Sequence, residues 1–107
     1  RIDSGVSVGP NSSVGSYTVI GKDAVLGKNV TIENSVVFPS VTIGDNATVK
    51  GAIIGEGATI GAGTQISEDC IIGDYASIHG NLVIQRNVTV CHSKEVKENI
   101  PESKRII

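Results

Sequence analysis

An aliphatic residue recurs every six positions along nearly the whole chain. From Ile2, steps of six reach Val8, Val14, Ile20, Leu26 and Ile32. A step of five reaches Val37, and steps of six reach Ile43 and Val49. A second step of five reaches Ile54, followed at intervals of six by Ile60, Ile66, Ile72, Ile78, Ile84, Val90 and Val96. Glycine comes directly after the aliphatic at Gly9, Gly15, Gly21, Gly27, Gly44, Gly55, Gly61 and Gly73, which uses most of the chain's 13 glycines. The third place after the aliphatic favours Gly, Asn or Asp, from Gly5 and Asn11 to Asn87 and Asn99. These are the residues that tolerate positive φ. Each unit therefore reads as a short extended piece followed by a tight turn through a left-handed residue.

A six-residue period has no helical face, because apolar residues at i, i+3, i+4 and i+7 are missing. Within a unit, the aliphatic and the small residue four places on share strand parity, so both point inward. That frame puts Ser12, Thr18, Ala24, Val30, Val36, Ala47, Ala58, Thr64, Cys70, Ala76 and Val88 inside. One unit cannot bury its own aliphatic, whereas neighbours stacked at strand spacing can. The expected fold is an all-β solenoid in which each coil contacts only the next.

The run Ile54-Gly-Glu-Gly-Ala-Thr-Ile60-Gly-Ala-Gly-Thr-Gln-Ile66 resembles the hexapeptide repeat of left-handed parallel β-helix proteins, and the likeness extends over residues 2–96. The resemblance implies a single-stranded left-handed parallel β-helix with three hexapeptide units per coil and nearly six coils. Handedness comes from the resemblance alone, since parallel crossovers are otherwise right-handed. Residues 1–96 are assigned to the β-helix and 97–107, where the glycine pattern stops, to a C-terminal cap and charged tail. The short units at 32–36 and 49–53 lie three units apart, so they should stack at one corner and narrow it across two coils. Glu33 then falls beside Lys50, and Lys28 beside Asp45.

A closer likeness is to the C-terminal domain of sugar-phosphate nucleotidylyltransferases. It is carried by Ile32-Glu-Asn-Ser-Val-Val37, Val41-Thr-Ile43-Gly-Asp-Asn46-Ala, Gly51-Ala-Ile-Ile54-Gly-Glu-Gly57 and Lys94-Glu-Val-Lys97. The resemblance implies a structural and oligomerisation domain whose N-terminal catalytic domain lies outside this chain. The parent would transfer a nucleotidyl group from a nucleoside triphosphate to a sugar 1-phosphate, using Mg²⁺. The chain has no methionine and begins in mid-pattern at Arg1, which reads as a piece of such a parent. Its open end near Ile2 and Val6 is where the missing domain is expected.

The alternative is a hexapeptide acyltransferase, dependent on acetyl-CoA and acting on a sugar or nucleotide-sugar. Enzymes of that type use a histidine as general base. His79 and His92 are the only candidates, with Asp74 one coil from His92 as its orienter. Such enzymes interrupt the repeat with a protruding loop, and none interrupts this one. Two histidines do not make the three-histidine zinc site of the hexapeptide carbonic anhydrases, so no metal site is assigned.

Other functions are excluded by composition. Net charge is −2, no basic stripe exists, and the aromatics are Tyr17, Phe38 and Tyr75, which argues against nucleic-acid binding. No apolar run approaches the ~18 residues of a membrane span. The two cysteines fit a reducing, cytoplasmic setting as free thiols, Cys70 inward and Cys91 outward. Asn-X-Ser/Thr triplets begin at Asn11, Asn29, Asn46 and Asn87, but all fall on the same two repeat positions, so the repeat itself generates them. Gly55-Glu-Gly57 lacks the last glycine of a dinucleotide fingerprint, because Ile60 stands there. Outward apolar residues, foremost Val19, Phe38 and Ile71, mark the expected interface of a homo-oligomer.

Overall fold

The computed structural model describes all of residues 1–107 and contains no helix. Three parallel sheets form the faces of a prism with extents of 32 × 22 × 21 Å. The first face is built from Ser7–Val8, Val25–Leu26, Thr42–Ile43, Thr59–Ile60, Ser77–Ile78 and Glu95–Val96. The second is Ser13–Val14, Thr31–Glu33, Thr48–Lys50, Gln65–Ile66 and Val83–Ile84. The third is Val19–Ile20, Val36–Val37, Ile53–Ile54, Ile71–Ile72, Thr89–Val90 and Arg105–Ile106. The chain visits the faces in turn, so strands pair with those three earlier and three later, except that Arg105–Ile106 pairs with Thr89–Val90, two strands earlier, where Ile100 bridges to Ile84 on the second face. This is the left-handed parallel β-helix, of about six coils.

The repeat dictates this directly. The second residue of each two-residue strand is the repeating aliphatic, and from Ile20 to Val96 all of these are buried. Stacked inward, they form one core with the small residues Ala24, Ala47, Ala58 and Ala76. The turn residues take the left-handed conformation at Asn11, Asp23, Asn29, Asn46, Gly57, Gly63, Asn81 and Asn87. Glycine after the aliphatic answers to close stacking: a Cβ on Gly61 would lie 2.3 Å from the amide nitrogen of Gly80 in the next coil.

The two short units do stack. Ile32 pairs with Val49 on the second face, and Glu33 with Lys50. One expectation fails here. Counting four places from Ile32 puts Val36 inside, yet Val36 faces out and Ser35 is buried in its stead. The missing residue comes out of the turn, so the left-handed residue becomes Asn34 and the inward place moves one residue earlier. The same shift puts Ala52 inside and Ile53 outside.

The segment after Val96 continues the coil. Ile100 bridges to Ile84 and Ile106 pairs with Val90. The step from Val96 to Ile100 is shortened, so Asn99 is not a left-handed turn residue. It sits just before the inward Ile100, and its Oδ1 accepts the Val83 amide at 2.8 Å. At the other end Ile2 and Val8 remain exposed and Val6 is partly buried, so the first coil is open.

Candidate functional site

The three faces have the same backbone and different outward rows. Across the first face the row runs Ser7, Val25, Thr42, Thr59, Ser77 and Glu95. Across the second it runs Ser13, Thr31, Thr48, Gln65 and Val83. The third reads Val19, Val36, Ile53 and Ile71, and only then Thr89 and Arg105. Four aliphatics in successive coils thus stand in contact on one flat face. Their exposure matters: Val36 is 37% accessible, Ile53 43% and Ile71 47%, with Phe38 beside them at 44%. Val19 is half-buried, where it borders a shallow recess with Val36, Phe38 and Pro39.

Val19, Phe38 and Ile71, the residues read from the sequence as an interface, lie on this one face. Val36 and Ile53 complete it and were missed. The signal for them was the pair of five-residue steps, which turns both residues outward onto the face that already carried Val19 and Ile71.

The histidines pair differently from the sequence expectation. His92 forms no ion pair with Asp74. The Asp74 carboxylate instead accepts the Glu56 amide at 2.9 Å, in the coil before. His79 does have a carboxylate partner: its Nε2 lies 2.7 Å from Glu95 Oε2. Lys97 Nζ stands 3.8 Å from the other Glu95 oxygen. The His79 hydrogen bond, then the Lys97 charge, hold the Glu95 carboxyl below its ordinary value. Both side chains of the pair are about half exposed, at 44% and 53%. None of the chain's recesses includes His79, His92 or Asp74. Asp45 behaves as Asp74 does, taking the Lys28 backbone amide at 3.0 Å rather than the Lys28 ammonium. The Glu33–Lys50 pair is open to solvent at 3.9 Å, a spacing worth little.

A profile of the GMPPB C-terminal domain matches residues 1–107. The chain belongs to that family. It is thus of the sugar-nucleotidylyltransferase C-terminal type. No curated sequence matches it significantly. Among solved structures, the acetyltransferase domain of PglB from Neisseria gonorrhoeae FA1090 is similar, with TM-score 0.60 and 18% identity over 97% of this chain and 49% of that one. The UDP-N-acetylglucosamine acyltransferase of Francisella novicida is similar at TM-score 0.63 and 17% identity, covering 99% of this chain and 58% of that one. At such identities the likeness is one of fold. The chain spans about half the length of these structures.

Proposed function

We propose that this chain is the assembly domain of a sugar-phosphate nucleotidylyltransferase and that it self-associates through its third face. The observation that carries the reading is the uninterrupted row Val19, Val36, Ile53, Ile71 in a chain of this family. Exposed apolar area gathered in four successive coils of one face, where the other two faces each carry a single outward valine (Val25 and Val83) among polar residues, marks an interaction surface. An N-terminal domain of the parent supplies the chemistry, passing a nucleotidyl group from a nucleoside triphosphate to a sugar 1-phosphate. The Mg²⁺ of that reaction belongs to the same domain. No helix is long and apolar enough to cross a membrane. The unpaired Cys70 and Cys91 support a cytoplasmic setting.

A second reading has one observation in its favour. The His79–Glu95 pair is the kind of base-and-orienter couple that an acetyl-CoA-dependent transferase uses on a sugar or nucleotide-sugar. Its exposure favours a surface ion pair instead, and the shallow recess that Glu95 borders does not take in His79.

Sedimentation tests the assembly reading. At about 100 μM, where an association free energy of only about −5.5 kcal/mol suffices, the chain sediments as a dimer or larger. Ile53→Lys, which places a charge on an outward side chain, makes it monomeric without lowering its melting temperature. A native chain that is wholly monomeric at that concentration would falsify the reading.

A further inference from the structure

The second face differs from the other two in the place directly after the aliphatic. Elsewhere that place is crowded: a Cβ on Gly9, Gly21 or Gly73 would lie 2.5 Å from backbone of the next coil. On Gly15, in the first coil of the second face, it would lie 3.4 Å from the nearest atom, an ordinary contact. Side chains therefore fit in this column, which reads Glu33, Lys50, Ser67 and Gln85 in four successive coils. The two trimmed units extend their strands to Thr31–Glu33 and Thr48–Lys50. Parity turns Glu33 and Lys50 outward beside Thr31 and Thr48. This wall thus carries two polar columns.

The corner that follows steps outward where the short units end. Gly51 holds the left-handed place of the second short unit, at φ 71°. The next coil has one residue more there, and Glu68 lies over Gly51: a Cβ on Gly51 would come 3.1 Å from Glu68 Cγ. Arg86 stands in the same column as Glu68, one coil on. Behind that ledge sits Ser67, the smallest of the four side chains in its column. The result is a recess of about 280 Å³ lined by Thr48, Lys50, Gln65, Ser67, Glu68 and Arg86. Neither Arg86 nor Glu68 has an ion-pair partner, and Lys50 has only Glu33, 3.9 Å away and outside the recess. Two cations against one carboxylate make the recess positive, on a chain whose net charge is −2.

We propose that this recess binds a sugar 1-phosphate, its phosphoryl group between Lys50 and Arg86 and its hydroxyls toward Thr48, Gln65 and Glu68. The ligand class rests on the reading of the parent as an enzyme of sugar phosphates; the recess itself does not. A guanidinium takes two phosphate oxygens at once, and a lysine ammonium adds a point charge on a flexible stem. Glu68 repels a phosphate and accepts hydroxyl hydrogens, which fixes the direction in which the ligand lies. Size and lining exclude a whole nucleotide-sugar. Sites for larger ligands span about 300–1,000 Å³, and no aromatic side chain lines this one to stack on a base. The recess lies on the second wall, apart from the apolar row of the third, so it stays open when that row is covered.

Isothermal titration of the intact chain tests this. Glucose, mannose and galactose 1-phosphates are each titrated, with inorganic phosphate, glycerol 3-phosphate and free glucose alongside. At least one hexose 1-phosphate is expected to bind saturably, at least tenfold tighter than inorganic phosphate or glycerol 3-phosphate, and free glucose to give no binding. Arg86→Ala and Lys50→Ala are each expected to weaken that binding at least tenfold, and Ser67→Leu, which fills the recess, to abolish it. All three side chains reach solvent, so melting of the unliganded variants is expected to match that of the native chain. Lys22→Ala, on another corner, is expected to bind as the native chain does. Free glucose that binds as tightly as its 1-phosphate overturns the phosphoryl contact. Inorganic phosphate or glycerol 3-phosphate that binds as tightly as every hexose ester overturns the sugar class, and with it the link to the parent. No saturable binding of any hexose 1-phosphate, or binding that Arg86→Ala leaves intact, overturns the site. A chain that sediments as a monomer defeats the assembly reading and leaves this titration unaffected, so the two fail separately.

Discussion

Three of the hydroxyl or thiol groups in the inward column tie two coils together. Thr64 Oγ1 donates to the His79 carbonyl at 2.6 Å and accepts the Leu82 amide at 3.2 Å. Ser12 does the same with the Gly27 carbonyl and the Val30 amide. Cys70 Sγ donates to the Gln85 carbonyl at 3.0 Å. Burial pushes the Cys70 thiol above its ordinary value of 9.0. The folded chain then keeps a proton that the unfolded chain gives up, so stability falls as pH rises past about 9. Cys70→Ser, which can still donate to Gln85, is expected to flatten that alkaline limb in denaturant titrations. Alkylation of the native protein modifies Cys91 first; faster loss of Cys70 would contradict its place in the core. In the six-residue units the column of inward residues was legible in the sequence because parity sets it. The left-handed tyrosines were not. Tyr17 and Tyr75 take φ of 56° and 59°, values that Gly or Asn would adopt at less cost. Coil stacking overrides local preference there: the Tyr75 amide donates to the Glu56 carbonyl at 2.8 Å in the coil before.

The shortened corner is the element that sets this prism apart from a uniform one. Dropping one turn residue in each of two stacked units exchanges Val36 for Ser35 and brings Ala52 inward. The Ala52 amide then finds its partner in Ser35 Oγ at 3.1 Å, and Ser35 donates to the Glu33 carbonyl at 2.7 Å. Ser35→Ala should therefore leave a buried amide unpaired and cost about 1–3 kcal/mol. Ser35→Thr should recover most of it; chemical denaturation of the three forms is the measurement, and an indifferent alanine variant would show that the corner relaxes. The five-residue spacing was plain in the sequence, but its effect on parity was not, because spacing alone does not say which residue of the unit is lost. That is why the apolar row was read as Val19, Phe38 and Ile71 rather than as a continuous stripe. The same limit applies to the histidines. Residues directly above one another are easy to pair on paper, as His92 and Asp74 were. His79 and Glu95 are diagonal neighbours, one just after an inward aliphatic and one just before it, and only the folded coil shows that they touch.

At the scale of the whole molecule, three flat walls leave no enclosed place for a reaction. The His79–Glu95 pair stands half exposed, and the shallow recess that Glu95 borders leaves His79 outside. Incubated with acetyl-CoA and amino-sugar phosphates, the chain is therefore expected to release no thiol. Turnover that His79→Ala abolishes would promote the acyltransferase reading. What the prism does offer is a ruler of fixed direction, and its coil length has a consequence for how such a gene can change. Up to Val96, successive coils are offset by 17 or 18 residues and one wall takes five or six; the last coil is offset by 16. Duplicating or deleting a whole coil lengthens or shortens the ruler and keeps every column on its own wall. Losing one hexapeptide instead turns everything downstream by a third of a revolution. Val19 and Val36 would then look one way while Ile53 and Ile71 looked another. Inheritance by whole coils preserves the stripe, and inheritance by single repeats breaks it, although both leave the hydrophobic spacing of the sequence undisturbed.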